Sequence, residues 1–166
     1  MADKSPREIA EQIMRDTRIA VLTYTDLQGR LVSTPMGTQD FEDPSQIWFI
    51  TGLDTDKVEA ISRNPQVNVS YHSDGGWVSL SGKARPSQDK AKLDELWDAS
   101  ASMFMESDKD DPRSGLLEVN GQTAEYWSNE GTVRTAVEFA KSLLGSDTDE
   151  GDGKGEDVGT NDTVQL

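Results

Sequence analysis

The chain has no cysteine, which excludes disulfides, thiolate metal sites and cysteine nucleophiles. Histidine is almost missing as well. His72 is the only one in 166 residues, so a multi-histidine metal site cannot form, and no metal is expected. Ser33, Ser79 and Ser81 have neither a G-x-S-x-G context nor a second histidine to serve them, which argues against a serine hydrolase. No stretch approaches the ~20 apolar residues that span a bilayer, and Met1-Ala2-Asp3-Lys4 lacks the apolar run of a secretory signal. A cytoplasmic protein with no membrane partner is the expectation. Positive charge is scarce too: 16 Lys and Arg face 31 Asp and Glu, for a net charge of −15. Such a field repels nucleic acid and anionic membrane. Asp147, Asp149, Glu150, Asp152, Glu156, Asp157 and Asp162 all follow Gly145, against the single Lys154. A flexible acidic tail over 146–166, behind one folded domain over 1–145, is expected from that pattern.

What remains is enough for one domain. Ser5-Pro6-Arg7-Glu8 carries the marks of a helix start, with Ser as cap, Pro in the first turn and Glu three residues after the cap. Ile19–Thr25 is β-branched and aromatic, and Asp26-Leu27-Gln28-Gly29 turns it. Leu31–Thr38 reads as a second strand, and Pro35 within it points to an edge or a bulge. Gln46–Thr51 is the most apolar strand in the chain. A helix carrying Val58 and Ile61 follows and is stopped by Asn64-Pro65. Val67, Val69 and Tyr71 alternate with polar residues, and Asp74-Gly75-Gly76 makes a hairpin into Trp77–Arg85. Pro86-Ser87 opens another predicted helix with Leu93, Leu96 and Trp97 on one face. Leu116–Val119 and Thr123–Trp127 read as strands around Asn120-Gly121, and a final amphipathic helix carries Val133, Ala136, Val137, Ala140 and Leu144. Many short strands without βαβ alternation favour a small closed or partly open barrel with helices at its ends.

Chemistry could sit at the joint from Thr51 to Lys57. A helix start offers unpaired N–H groups and about half a positive charge to an anion. Thr51 and Thr55 add hydroxyls and Lys57 adds an ammonium. On local sequence alone ordinary capping is the simpler account, with Asp54 or Thr55 as the cap and Lys57 in solvent. Among the tryptophans, Trp48 and Trp97 read as packing, whereas Trp77 beside a Gly-Gly turn and Trp127 at a strand end are better placed for a ligand rim.

The ordered motifs go further. Ser33-Thr34-Pro35-Met36, Ile47–Thr51, Asp56-Lys57-Val58 and Asn64-Pro65-Gln66-Val67 resemble the pyridoxamine-phosphate-oxidase-like, FMN-binding split-barrel superfamily. Val78–Ala84, Leu96-Trp97, Lys109-Asp110-Asp111-Pro112, Leu116-Leu117 and Ala124-Glu125-Tyr126-Trp127 are similar to its general stress protein 26 branch. The resemblance implies a six-stranded antiparallel split barrel with peripheral helices, and a homodimer holding FMN, or alternatively FAD, between subunits. It further implies that Val32, Ser33, Thr34, Pro35 and Met36, together with Trp48, Phe49, Ile50 and Thr51, line the ring and ribityl chain. Thr51, Thr55 and Lys57 would hold the phosphate, with Trp77 and Trp127 near the dimer-facing edge. The chain departs from the superfamily's Arg-Pro-Met at Thr34, because threonine cannot copy the planar charged fork of arginine. Two functions stay open: a flavin protein of the general stress type with a redox or flavin-handling role, a flavin-dependent oxidoreductase among its readings, and a non-catalytic dimeric split barrel, a ligand carrier or interaction protein, that binds flavin weakly or not at all.

Overall fold

Strand pairing begins at the hairpin between β1 (Ile19–Thr25) and β2 (Leu31–Gly37). The Asp26 carboxylate organises its turn, accepting from the backbone N–H groups of Gln28 and Arg30 at 2.9 and 2.8 Å. The computed structural model describes residues 4–128 and 160–165. Before the hairpin stands α1 (Pro6–Asp16), and after it come β3 (Gln46–Gly52), α2 (Asp56–Arg63), β4 (Gln66–Ser73), β5 (Gly76–Ser87), α3 (Lys90–Leu96), α4 (Ala99–Phe104), β6 (Ser114–Ser128) and β7 (Thr160–Gln165). The strands form one antiparallel sheet in the order β2-β1-β4-β5-β6-β3, with β7 added beside β6. The sheet curls so that its end strands β2 and β3 approach each other without pairing. The result is a split barrel.

The start of α1 follows the sequence closely. Ser5 Oγ accepts from Glu8 N–H and the Glu8 carboxylate accepts from Ser5 N–H, with Pro6 in the first turn. The apolar stripe of α1 buries Ala10, Ile13 and Met14 against the sheet. Inside the curl lie Ala20 and Leu22, Ile47 and Phe49, Val67, Val69 and Tyr71, Val78 and Leu80, and Leu117 and Val119. Each fully buried large apolar side chain is worth about 1.5–3 kcal/mol in water exclusion. The Tyr71 hydroxyl lies in this core without a hydrogen-bond partner among the described residues, and burial pushes its pKa up. A smaller apolar contact forms on the outer side, where α3 covers β6 and buries Leu93 and Leu116.

Pro35 falls on β2, an end strand of the sheet, where a missing N–H costs no ladder bond to a further neighbour. Two sequence expectations need correction. The residues around Asn120-Gly121 do not turn between two strands. They run straight through β6, and the register slips by one residue opposite Ser81 and Gly82, leaving Gln122 as the bulge. A Cβ on Gly82 would meet Asn120 O at 2.3 Å, so the strands approach there only because residue 82 is glycine. Pro86-Ser87 does not open a helix either. β5 continues through both, and α3 is capped by Asp89, whose carboxylate accepts from Lys92 N–H at 3.0 Å. Past Lys83 the strand β5 has left β4 and pairs with β6 alone, so proline at 86 interrupts nothing on the vacant side. The expected final helix over 133–144 lies outside the described residues. β7 comes from the segment expected as an acidic tail, and antiparallel pairing sets Ser128 opposite Thr160 and Thr123 opposite Gln165.

Candidate functional site

The split between β2 and β3 opens into a cavity of about 710 Å³. Pro35, Met36 and Gly37 of β2 form one wall, and Ile50, Thr51 and Gly52 of β3 form another. The α2 start contributes Thr55 and Lys57, and the end of α4 contributes Ala101, Phe104 and the following Met105. Arg18 and Ile19 at the start of β1, with Thr38 and Gln39 beyond β2, complete it. The volume suits a drug- or cofactor-sized molecule.

One end of the cavity carries a positive charge. The Lys57 side chain is half-buried, and its Nζ lies 3.4 Å from Met36 Sδ, a soft neighbour that cannot neutralise it. No carboxylate pairs with it among the described residues. Burial lowers its pKa from the ordinary lysine value, the expected response of a desolvated ammonium. Thr51 is buried, pairs through its backbone with Gly115, and makes no side-chain hydrogen bond among the described residues. The capping account of the joint also holds in part. Thr55 Oγ1 accepts from Val58 N–H at 3.4 Å and donates to Gly52 O at 3.1 Å, so its hydroxyl is engaged in starting the helix. Lys57, in contrast, turns inward instead of waving in solvent. The first-turn N–H groups of α2 add their partial positive charge at the same end.

Much of the rest of the lining is apolar. It comprises Ile19, Pro35, Ile50, Ala101, Phe104 and Met105, with Met36 beside Lys57, and Phe104 is 75% exposed. An aromatic left that open lacks the burial a core position would give it.

Of the residues singled out from the sequence, the cavity gathers Pro35, Met36, Ile50, Thr51, Thr55 and Lys57. Val32, Ser33 and Thr34 lie further up β2, outside the lining. Ser33 Oγ is 2.8 Å from Thr23 Oγ1 on the neighbouring strand. Phe49 is fully buried in the core. Trp48 projects to the other face of β3, under Lys92 at 5.8 Å, in keeping with the packing role read from the sequence. Trp77 and Trp127 are cross-strand partners on β5 and β6, and Trp77 stacks on His72 with ring centroids 4.7 Å apart. They too lie outside the lining of a single chain. Arg18 and α4 escaped the sequence reading. The apolar Met103-Phe104-Met105 run just ahead of the charged loop was the available signal for α4, whereas nothing local marks Arg18.

A curled split barrel with a cavity at its seam, lined by two cations and several apolar side chains, defines the class of the fold. The chain belongs to the pyridoxamine 5'-phosphate oxidase-like family, which it matches over residues 5–150. Its relatives include proteins described as general stress protein 26. It is 30% identical to general stress protein 26 of Bacillus subtilis (strain 168) over 84 residues, which are 48% of this chain and 59% of that protein, so the match spans less than two-thirds of the relative. Among solved structures it is similar to a general stress protein 26 from Jannaschia sp. CCS1, with 29% identity and a TM-score of 0.67 over 96% of this chain and 98% of the other. It is also similar to the general stress FMN/FAD binding protein of Xanthomonas citri, with 25% identity and a TM-score of 0.63 over 74% of this chain and 90% of that one.

Proposed function

We propose that the chain binds a flavin mononucleotide or dinucleotide in the cavity at the barrel seam, with its phosphate at the Thr51–Lys57 end. The observation that carries this reading is the half-buried Lys57 ammonium, held at a helix start with a methionine sulfur as its one polar-atom partner among the described residues. Holding a charge there costs solvation, and an anionic ligand offsets that cost. Thr51 adds a spare hydroxyl donor on the same side, while Phe104, Met105 and Ile50 would flank the ring. The Xanthomonas citri relative described as FMN/FAD binding supports the ligand class.

The bound flavin would supply electron chemistry, and the protein would orient it and govern access. Among the described residues no histidine, tyrosine or carboxylate lines the cavity, and Lys57 is the lining side chain there best suited to trade a proton. That composition favours holding a flavin over proton-coupled catalysis on a bound substrate, so a carrier or flavin-handling role stands beside an oxidoreductase role. The second copy implied by the resemblance has a place to sit. Ile19, Val21, Leu31 and Trp77 are large apolar side chains 40–78% exposed, and the strand registers set Ile19, Val21 and Trp77 on the outer face of the sheet. A homodimer would cover this face and close the cavity. Trp77 and Trp127 would then meet the partner's edge of the site.

Titrating the purified chain with FMN, FAD and riboflavin tests the reading. Saturating FMN should raise the melting temperature, corresponding to about 2.7 kcal/mol at one hundred times Kd, and the protein should turn yellow. A colourless protein whose melting temperature ignores all three ligands would sink the flavin reading. Light scattering on the same sample reports the dimer. Steady-state oxidation of NADH or NADPH by the loaded protein then separates the oxidoreductase from the carrier.

A further inference from the structure

We infer that Arg18 is a second phosphate-recognising residue, brought into the same cavity lining as Lys57 by the joint between α1 and β1. The inference rests on the flavin site proposed above and adds what that site selects: a phosphorylated ligand whose charge is met by two cations.

The lining of the cavity departs sharply from the rest of the molecule. The chain has 31 acidic residues against 16 basic ones, yet among the described residues the cavity is lined by Arg18 and Lys57 and by no carboxylate. Asp54 and Asp56, the nearest acids in sequence to the α2 start, are exposed and do not line it. Arg18 makes no ion pair among the described residues, although most of the other described arginines do.

Its backbone is fixed more firmly than its exposed side chain suggests. Thr38 N–H donates to Arg18 O at 3.0 Å, and Thr38 Oγ1 contacts Thr17 O and Arg18 O. Thr17 is buried and donates from Oγ1 to Ile13 O at 2.8 Å, which ties the joint to the last turn of α1. The cation is therefore mounted on a rigid base. Along β2, Lys57 is at the level of Met36, while Arg18 lies level with Thr38. Two residues of strand separate those levels, ~7 Å, a distance that both long side chains can span. A guanidinium at that point presents paired donors to phosphoryl oxygens. The phosphoryl group could belong to FMN or to the diphosphate of FAD, and the two ligands form separate arms of the test.

Arg18→Gln and Arg18→Lys should be titrated beside the parent protein with riboflavin, FMN and FAD. Riboflavin has the ring and no phosphate. The expected result is at least a tenfold loss of FMN or FAD affinity in Arg18→Gln, unchanged riboflavin affinity, and partial recovery in Arg18→Lys. A loss confined to FAD places Arg18 on the second phosphate, and an equal loss for both places it on the one they share. If the parent binds FMN and Arg18→Gln binds all three ligands as the parent does, Arg18 has no such role while the flavin reading survives. An equal loss for riboflavin also overturns it, since Arg18 would then act on the ring or on the fold. If the parent binds no flavin, the site reading fails and this inference with it.

Discussion

Lys57 works against stability in the empty protein. Burial sets its pKa below the ordinary value of 10.5, so the folded chain releases that proton at a lower pH than the unfolded chain does. The unfolded state binds more protons in that window, and stability therefore rises as pH climbs towards 10.5. Lys57→Met keeps the length and removes the charge. It should stabilise the ligand-free protein by about 0.5–2 kcal/mol at neutral pH and flatten the alkaline rise. The same variant should lose any preference for FMN over riboflavin. Thermal melts from about pH 7 to about pH 10 and a two-ligand titration check both halves, and a variant that is less stable and still prefers FMN would contradict the account. A ligand residue that costs stability when empty is a familiar trade in binding sites.

At the scale of elements, the first half of the sheet was legible and the second half less so. Ile19–Thr25 and Gln46–Thr51 advertise themselves by composition, and Pro35 falls on an end strand, where no further ladder bond is lost. Asn120-Gly121 misled for a physical reason. The dipeptide favours a turn locally, but β5 and β3 grip β6 on either side of it and absorb the extra residue as a bulge. Pro86 misled likewise, since a proline suits a helix start and a half-partnered strand equally well. For the cavity, the Thr51–Lys57 joint stood out because Thr51, Thr55 and Lys57 lie within seven residues of sequence. Arg18 and Thr38 meet across the first hairpin and reach Phe104 only in the folded sheet, and no local pattern carries such information.

One element also holds the clearest acid-sensitive contact. Glu118 on β6 is 3% exposed, held by Arg85 Nε at 2.7 Å and by Gln46 Nε2 at 3.0 Å. Burial alone would raise its pKa, but the hydrogen bonds from Arg85 and Gln46 outweigh it and the net value lies below the ordinary 4.5. The stabilisation is thus present above the unfolded-state pKa and lost as pH falls through the folded one. Glu118→Gln should cost about 1–3 kcal/mol at neutral pH and narrow the gap in melting temperature between about pH 6 and about pH 3. A gap as wide as the parent's would remove Glu118 from the acid response.

Across the whole molecule, a net charge of −15 means that folding gathers like charges. Self-repulsion of this kind is screened by salt, with a Debye length of about 10 Å at 0.1 M and about 3 Å at 1 M. Raising sodium chloride across that range should increase the melting temperature of the ligand-free protein, which calorimetry can follow. Salt should weaken phosphate binding at the same time, because the described cavity lining carries Arg18 and Lys57. The two trends oppose each other, so the ligand-induced shift in melting temperature should shrink with salt even as the baseline climbs. The seam between β2 and β3 bears on folding order as well. Met36 and its hairpin partners are close in sequence, whereas β3 joins the sheet only when Gln46 meets Asn120 and Gly52 meets Ser114. Loops that long close late and dominate the folding time of such topologies. The cavity, having a wall on each side of that closure, does not exist until the closure is made. A ligand held there therefore acts as a brake on unfolding and gives no help to the chain on its way in.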